Sequence, residues 1–418
     1  MSDYKISSGR ATLAFLLGTL FFAYAFMQRV APSVMTDEIM IDFSVGGAAV
    51  GALSGWYFYT YALMQLPVGI LTDRFGPRKL MAVALMICAL ASFMMAQSDS
   101  LYMASLSRAV IGATVGFGFV GTLAIAGYFF PPAKYAFLAG VLQGVGMLGA
   151  ILGQAPLRLV VESVGWRGMV SGLAVVAFVL SILVFFLIPR RPQKSGKSDK
   201  NAGSISGLIA VLRKPQSWIC AVIGFGLPAI MLGFASLWAV PWLHSVHGFT
   251  RSEAAGLASL LFLGWALSAP LVGWLSDYMG RRKPLIWIGN VSSIAIFALI
   301  VFSGISSPVS LSILFILCGV AGSCMTAMFS VIRELNSEQF SSTSLGLLNM
   351  CIVGSGAIMQ PLVGWLLDLN WQGKLEGGVR IYSPETYELA FLAMLLANVL
   401  SLICLYFLKE TYCKPLDA

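Results

Sequence analysis

Three arginines stand inside apolar runs in which a lipid-facing helix would carry none. Arg29 follows FFAYAFMQ, Arg108 opens RAVIGATVG, and Arg158 follows LGQAPL. An arginine at the centre of a membrane helix costs roughly 2.5–3.5 kcal/mol on insertion scales. A guanidinium is also a planar fork of donors that matches carboxylates, phosphates and other oxyanions. Arg29 therefore poses a choice: it binds an anion, or it is a structural group bonded to carbonyls or to an amide such as the adjoining Gln28. Gln143, Gln154 and Arg158 fall within about 60° of one another if their helix is continuous. Glu162, one turn beyond Arg158, is either its ion-pair partner or a protonatable coupling group. Tyr57, Tyr61 and Gln65 share a face at four-residue spacing, which suits hydrogen bonding and stacking toward a cavity or an aromatic packing seam. Trp238, with Trp242 and Trp265, is placed to wall such a cavity from the second half of the chain.

Other chemistry finds little support. The two histidines, His244 and His247, stand together after an apolar run, and the seven cysteines show no metal-ligand spacing. No metal and no cofactor are expected, and the cysteines read as small hydrophobes. No nucleophile–base constellation is present, so an enzyme is not expected.

The elements that must position these residues follow from composition. The chain has 418 residues, 58% hydrophobic and 11% charged, with a mean hydropathy of +0.85. That is an all-α polytopic membrane protein. Apolar runs predict twelve helices, at about 11–33, 47–72, 78–97, 101–129, 135–161 and 167–188, then 215–243, 251–277, 284–304, 308–332, 341–369 and 387–409. The first run is too long and too well followed by others to be a cleaved signal. Between the two sets, residues 189–206 are basic and rich in Ser, Gly and Lys, a flexible linker. The expected organisation is a six-helix bundle over 1–188, a linker over 189–214 and a second bundle over 215–418.

With the N-terminus placed in the cytoplasm, nineteen of the 26 basic residues fall on the inside and four outside. That bias puts both termini inside, in a bacterial inner membrane. It also accounts for the net charge of +8 without nucleic acid. The two halves repeat: GILTDRFGPRK at 69–79 matches GWLSDYMGRRK at 273–283, and residues 154–168 match 359–373 at nearly the same offset. Parallel duplicated halves are a transporter architecture, with a site at their interface near the bilayer midplane. None of the three arginines has a counterpart in the second half. Arg29 maps to Gly233 or Phe234, Arg108 to Ser312 or Ile313, and Arg158 to Val363. Scaffold residues would recur; this one-sidedness points to specific chemistry.

The loop motif, with Gly69, Asp73, Arg74, Gly76, Arg78 and Lys79 and again Gly273, Asp277, Gly280, Arg281, Arg282 and Lys283, resembles the signature of the major facilitator superfamily. The resemblance covers the whole chain. It implies two pseudo-symmetric six-helix bundles working by alternating access, with Asp73, Arg74, Arg78, Asp277, Arg281 and Arg282 as gating residues. Arg108 and Gly112 resemble the superfamily's helix-4 motif, whose arginine is tied to proton movement or to fixing that helix. Helix 5 is similar to the glycine-rich motif of drug:proton antiporters but has Ala150 and Gln154 where that motif has proline and glycine. The YAFMQRV segment resembles the first helix of organic-anion branches, whose arginine grips a carboxylate or phosphate. Gln28 stands where anion symporters often have an aspartate, and helix 7 has no arginine, so a carboxylate is favoured over a dianionic phosphate. RVAPSVM is similar to phagosomal nutrient transporters.

These resemblances imply proton-coupled uptake of a small organic anion or a zwitterion such as an amino acid. The expected site is Arg29, Gln28, Tyr57, Tyr61, Gln143, Gln154, Arg158 and Trp238, with Arg108 and Glu162 in coupling or structural roles. The expected partners are the substrate, protons and the lipid bilayer, for a monomer. The rival readings are an exporter of drug-like compounds or siderophores, and a membrane receptor or scaffold without transport.

Overall fold

The computed structural model describes residues 8–131, 134–190, 205–336 and 341–414. Its first half comprises α1 (Ser8–Val30), α2 (Thr36–Phe43), α3 (Gly47–Phe75), α4 (Pro77–Ala96), α5 (Leu101–Phe129), α6 (Tyr135–Leu152) and α7 (Ala155–Leu187). The second comprises α8 (Ile205–Leu212), α9 (Pro215–Gly226), a π-helix (Ile230–Trp238), α10 (Ala239–His247), α11 (Arg251–Met279) and α12 (Lys283–Phe302), then α13 (Pro308–Ser323), α14 (Ala327–Glu334), α15 (Ser341–Leu369) and α16 (Pro384–Phe407).

Among the described residues, ten stretches are long and apolar enough to cross a membrane, and the bent pair α2 and α3 supplies an eleventh. One of the ten, Phe137–Leu187, is 51 residues long. At about 1.5 Å per residue it exceeds twice the bilayer core. The helix is broken at Gly165, whose φ is +74°, so the stretch supplies two crossings, for twelve among the described residues.

Local chemistry sets the ends. Several helices begin on proline, whose missing N–H is harmless in the first turn. Ser100, Thr250 and Ser383 cap α5, α11 and α16 with their hydroxyls. The loop motif turns on a positive-φ glycine in both halves: Gly76 and Gly280 hold φ of +79° and +61°, which a side chain would strain.

Several elements differ from the sequence reading, the expected helices at 135–161 and 308–332 being broken after Leu152 and after Ser323. The expected helix at 215–243 is broken into α9, the π-helix and α10, with Pro228 in the break. Acid-rich residues 36–43, read as lying outside a helix, form α2. The region read as linker contains α8 at its end, while residues 191–204 lie outside the described residues. The cysteines are free, with Cys88, Cys220, Cys318 and Cys324 buried.

The halves meet chiefly through α3 against α15 and through α11 against α6 and α7. At the end distal to the chain termini they are bonded together. Asp368 of α15 accepts the N–H groups of Gly47 and Ala48, at 3.0 and 2.9 Å, across the divide. These are orphan donors of the first turn of α3, where a carboxylate is favoured. Tyr382 accepts from Gly47 N–H at 2.8 Å and donates to Asp368 at 2.6 Å. Asp37 of α2 pairs with Arg251 of α11 at 2.5 Å. A Cβ on Gly51 or Gly364 would overlap the facing backbone, so these glycines permit the approach of α3 and α15. At the proximal end, no hydrogen bond or ion pair among the described residues joins the halves.

Candidate anion site between the halves

Arg29 stands in the last turn of α1 and is 6% exposed. Its Cζ lies 4.2 Å from the centroid of Phe26, 5.4 Å from Tyr61 and 5.8 Å from Phe58. Tyr57 and Tyr61 stack at 6.1 Å with planes 12° apart, so the spacing on α3 does bring both rings to one place. Arg108 of α5 approaches the other ring of the stack, its Cζ 4.9 Å from the Tyr57 centroid. Phe58 abuts α15, where a Cβ on Gly356 would meet its ring at 2.8 Å. The box therefore lies at the boundary between the halves.

The two guanidiniums are incompletely compensated. No carboxylate among the described residues is within ion-pair distance of either. Arg29 Nε is buried without a partner, as are Nε and one terminal nitrogen of Arg108. The other terminal nitrogen of Arg108 donates to the Gln28 carbonyl at 2.9 Å. A cation–π contact returns about 0.5–2 kcal/mol, whereas a buried donor left unmade costs about 1–3 kcal/mol. The aromatic faces thus offset part of the cost and leave the charge available to an anion.

The remaining expected residues separate from this box. Gln28 is turned into its own half, where its amide donates to Tyr24 at 2.6 Å and Ser92 at 3.1 Å. Arg158 is held by Glu38 at 2.7 Å, by Glu162 at 3.0 Å and by the Val34 carbonyl. It belongs to the distal seal, and the ion pair is the role the geometry gives Glu162. Gln154 accepts from Ser33 and donates to the Ala235 carbonyl of the other half at 3.2 Å. The expected single stripe of Gln143, Gln154 and Arg158 does not form. The chain breaks at Gly153 and Gln154 before Pro156, so Gln143 on α6 is exposed while Gln154 is buried. Trp238, expected to wall the site, is fully buried at the distal end: it donates to the Gln360 carbonyl of its own half at 3.0 Å, and a Cβ on Gly47 of the other half would meet its ring at 3.3 Å.

The loop-motif residues expected to gate the proximal end bond within their own halves where they are described. Arg282 pairs with Asp277 at 2.5 Å and Glu334 at 3.0 Å. Burial lowers the affinity of Arg282 for its proton, but the two carboxylates more than offset this and its pKa is raised. Arg281 stacks over Tyr412, and Arg78 donates to the Phe185 carbonyl at 2.6 Å. Arg74 is exposed, and Asp73 lies outside the described side chains.

The sequence reading passed over Phe26, Phe58, Arg251, Asp368 and Tyr382. The aromatic residues carried no signal beyond apolarity. Asp368 lay inside the repeated stretch 359–373, as its one acid.

A profile described as Major Facilitator Superfamily matches residues 16–321 and 229–415. A probable sulfoacetate transporter of Cupriavidus necator is 21% identical, over 84% of this chain and 87% of its own. A multidrug resistance protein, MdtG, of Salmonella choleraesuis is 24% identical, over 78% and 81%. The crystal structure of a bacterial homologue of the human lysosomal transporter Spinster, inward-facing and unoccupied, superposes with a TM-score of 0.82 at 17% identity, covering 96% of this chain and 98% of that one.

Proposed function

The chain belongs to the Major Facilitator Superfamily, a multi-pass membrane transporter family, and from that premise we propose that it takes up a small organic anion, or a zwitterion bound through its carboxylate. The observation that carries this is Arg29, buried at the boundary between the halves among three aromatic rings, with an unpartnered Nε and no described carboxylate beside it. Its pseudo-symmetric position lies at Gly233 and Phe234. Phe234 sits wholly buried in an aromatic cluster with Trp242, Phe297 and Phe391. The charge is on one side only. The relative described as a sulfoacetate transporter carries an organic anion, which supports this reading.

Transport proceeds by alternating access. The distal seal closes one side, and the loop motifs with Arg74, Arg78, Asp277, Arg281 and Arg282 act when the proximal side closes. The termini lie in the cytoplasm of a bacterial cell, and the protein works as a monomer in the inner membrane. Uptake is coupled to protons. Glu38 and Glu162, sharing Arg158 beside the boundary, are the groups where a bound proton would release an ion pair.

The test is a thermal-shift screen of the purified protein against monocarboxylates, dicarboxylates, sulfonates and amino acids, since a ligand raises apparent stability by mass action. An anion stabilises the protein, and Arg29→Ala, still folded, loses the shift. The drug-exporter reading, favoured by the likeness to MdtG, requires the reverse: apolar or cationic compounds stabilise, and Arg29→Ala responds like the native protein.

A further inference from the structure

Buried polar atoms without partners are concentrated around the two arginines. Of eleven such side-chain atoms among the described residues, five belong to Arg29, Ser54, Ser107 and Arg108. Ser54 lies one turn before Tyr57 on α3, and Ser107 adjoins Arg108 on α5. One anionic group on Arg29 would leave the second guanidinium as it stands, wholly buried with two nitrogens unmatched.

We propose that the substrate is a dianion and that Arg108 is its second anion ligand, the two charges being received on either side of the Tyr57–Tyr61 stack. This rests on the reading of Arg29 as an anion binder. The geometry ties the two guanidiniums to one scaffold, Arg108 4.9 Å from the Tyr57 centroid and Arg29 5.4 Å from that of Tyr61. It also disfavours a zwitterion. An ammonium brought here would face two positive charges, and the acids at the distal end of the boundary already face arginines: Glu38, one of whose oxygens is unpartnered, and Glu162 face Arg158, and Asp37 faces Arg251. The π faces that attract a cation are already taken by the arginines. Tyr57 covers Arg108, so the second charge reaches it only as that ring yields; a monoanion on Arg29 requires no such movement.

The experiment compares malonate, succinate and glutarate, each against its own monoamide, by calorimetric titration of the purified full-length protein, with β-alanine as the zwitterion. The monoamide keeps length and one carboxylate and removes the second charge. At least one dianion binds about tenfold or more tighter than its monoamide, the scale of one charge-assisted hydrogen bond. Arg108→Gln abolishes that preference, whereas Arg29→Gln weakens both ligands. Equal affinity of dianions and monoamides, or tight binding of β-alanine, overturns the dianion and leaves Arg29 as an anion binder. If no acid of either kind binds, both readings fall. Should Arg108→Gln not fold, the pairs on the native protein decide the matter without it.

Discussion

Arg29 and Arg108 share a chemistry but not an environment. Arg29 sits among three rings and is slightly exposed; Arg108 is covered by Tyr57 and bonded to the Gln28 carbonyl. The ring of Tyr57 covers Arg108, while its hydroxyl, beside Arg29, donates to the Ala25 carbonyl at 2.8 Å and joins α3 to α1. Tyr57→Phe leaves anion binding intact and lowers stability by about 0.5–1.5 kcal/mol, the net value of one hydrogen bond. Tyr57→Ala removes the partition between the arginines and costs more, about 3–5 kcal/mol by analogy with aromatic truncation in cores. Thermal unfolding and ligand titration on the two variants separate these contributions. Equal loss of binding in both would place the hydroxyl, not the ring, in the site.

The short helix α2 acts as a strap across the distal end. Its three acids reach α11 and both arms of α7: Asp37 pairs with Arg251 of α11, Glu38 with Arg158 before the break at Gly165, and Asp42 with Arg167 beyond it. The second fastening is α15, through Asp368 on the N-terminus of α3. Asp368→Asn removes the charge that two amides, Tyr382 and Arg380 all address. Spin labels placed at Ser44 and Gln372 should then show a larger share of long distances than in the native protein. An unchanged distribution would mean that packing alone holds the end shut. Gly51→Leu should act in the same direction and more strongly, because its side chain meets backbone at Gln360 that cannot move aside. Burial, with the adjoining Asp368 carboxylate, raises the Tyr382 pKa. A raised folded pKa means that the stabilising contribution is present below the unfolded value near 10 and is lost only as pH rises above it. The Tyr382 contribution to the seal should therefore be constant from pH 5 to 8, by the same distance measurement.

Across the whole molecule, every bond between the halves found among the described residues lies toward the distal end, and the gate arginines of the proximal end bond at home. Rocking must therefore break Asp37–Arg251 and the contacts of Asp368 while new proximal contacts form. A bis-maleimide bridge between cysteines placed at positions 37 and 251 should abolish substrate counterflow in proteoliposomes while leaving anion binding at the proximal side within about twofold. Reversing the bridge with a cleavable linker restores counterflow. Loss of binding together with transport would indicate a distorted site instead of a locked cycle, and counterflow by the native protein excludes a receptor without transport.

The sequence by itself determined the membrane class, the twelve crossings, the repeat and the paired loop motifs. Those depend on hydrophobic length, charge distribution and local turn chemistry, each legible within a few residues. It also marked Arg29 and Arg108, because a charge in an apolar run stands out whatever surrounds it. Only the tertiary structure decided which polar residues share a place. Arg158 and Trp238 left the expected site for the distal seal, since their partners Glu38 and Gln360 lie more than a hundred residues away in the chain. Gln143 parted from Gln154 because a break before Pro156 ended the helical periodicity that had aligned them. Phe26 and Phe58 became walls of the site only when α1, α3 and α15 packed together, for an aromatic side chain in lipid-soluble sequence looks the same whether it faces lipid, core or a guanidinium.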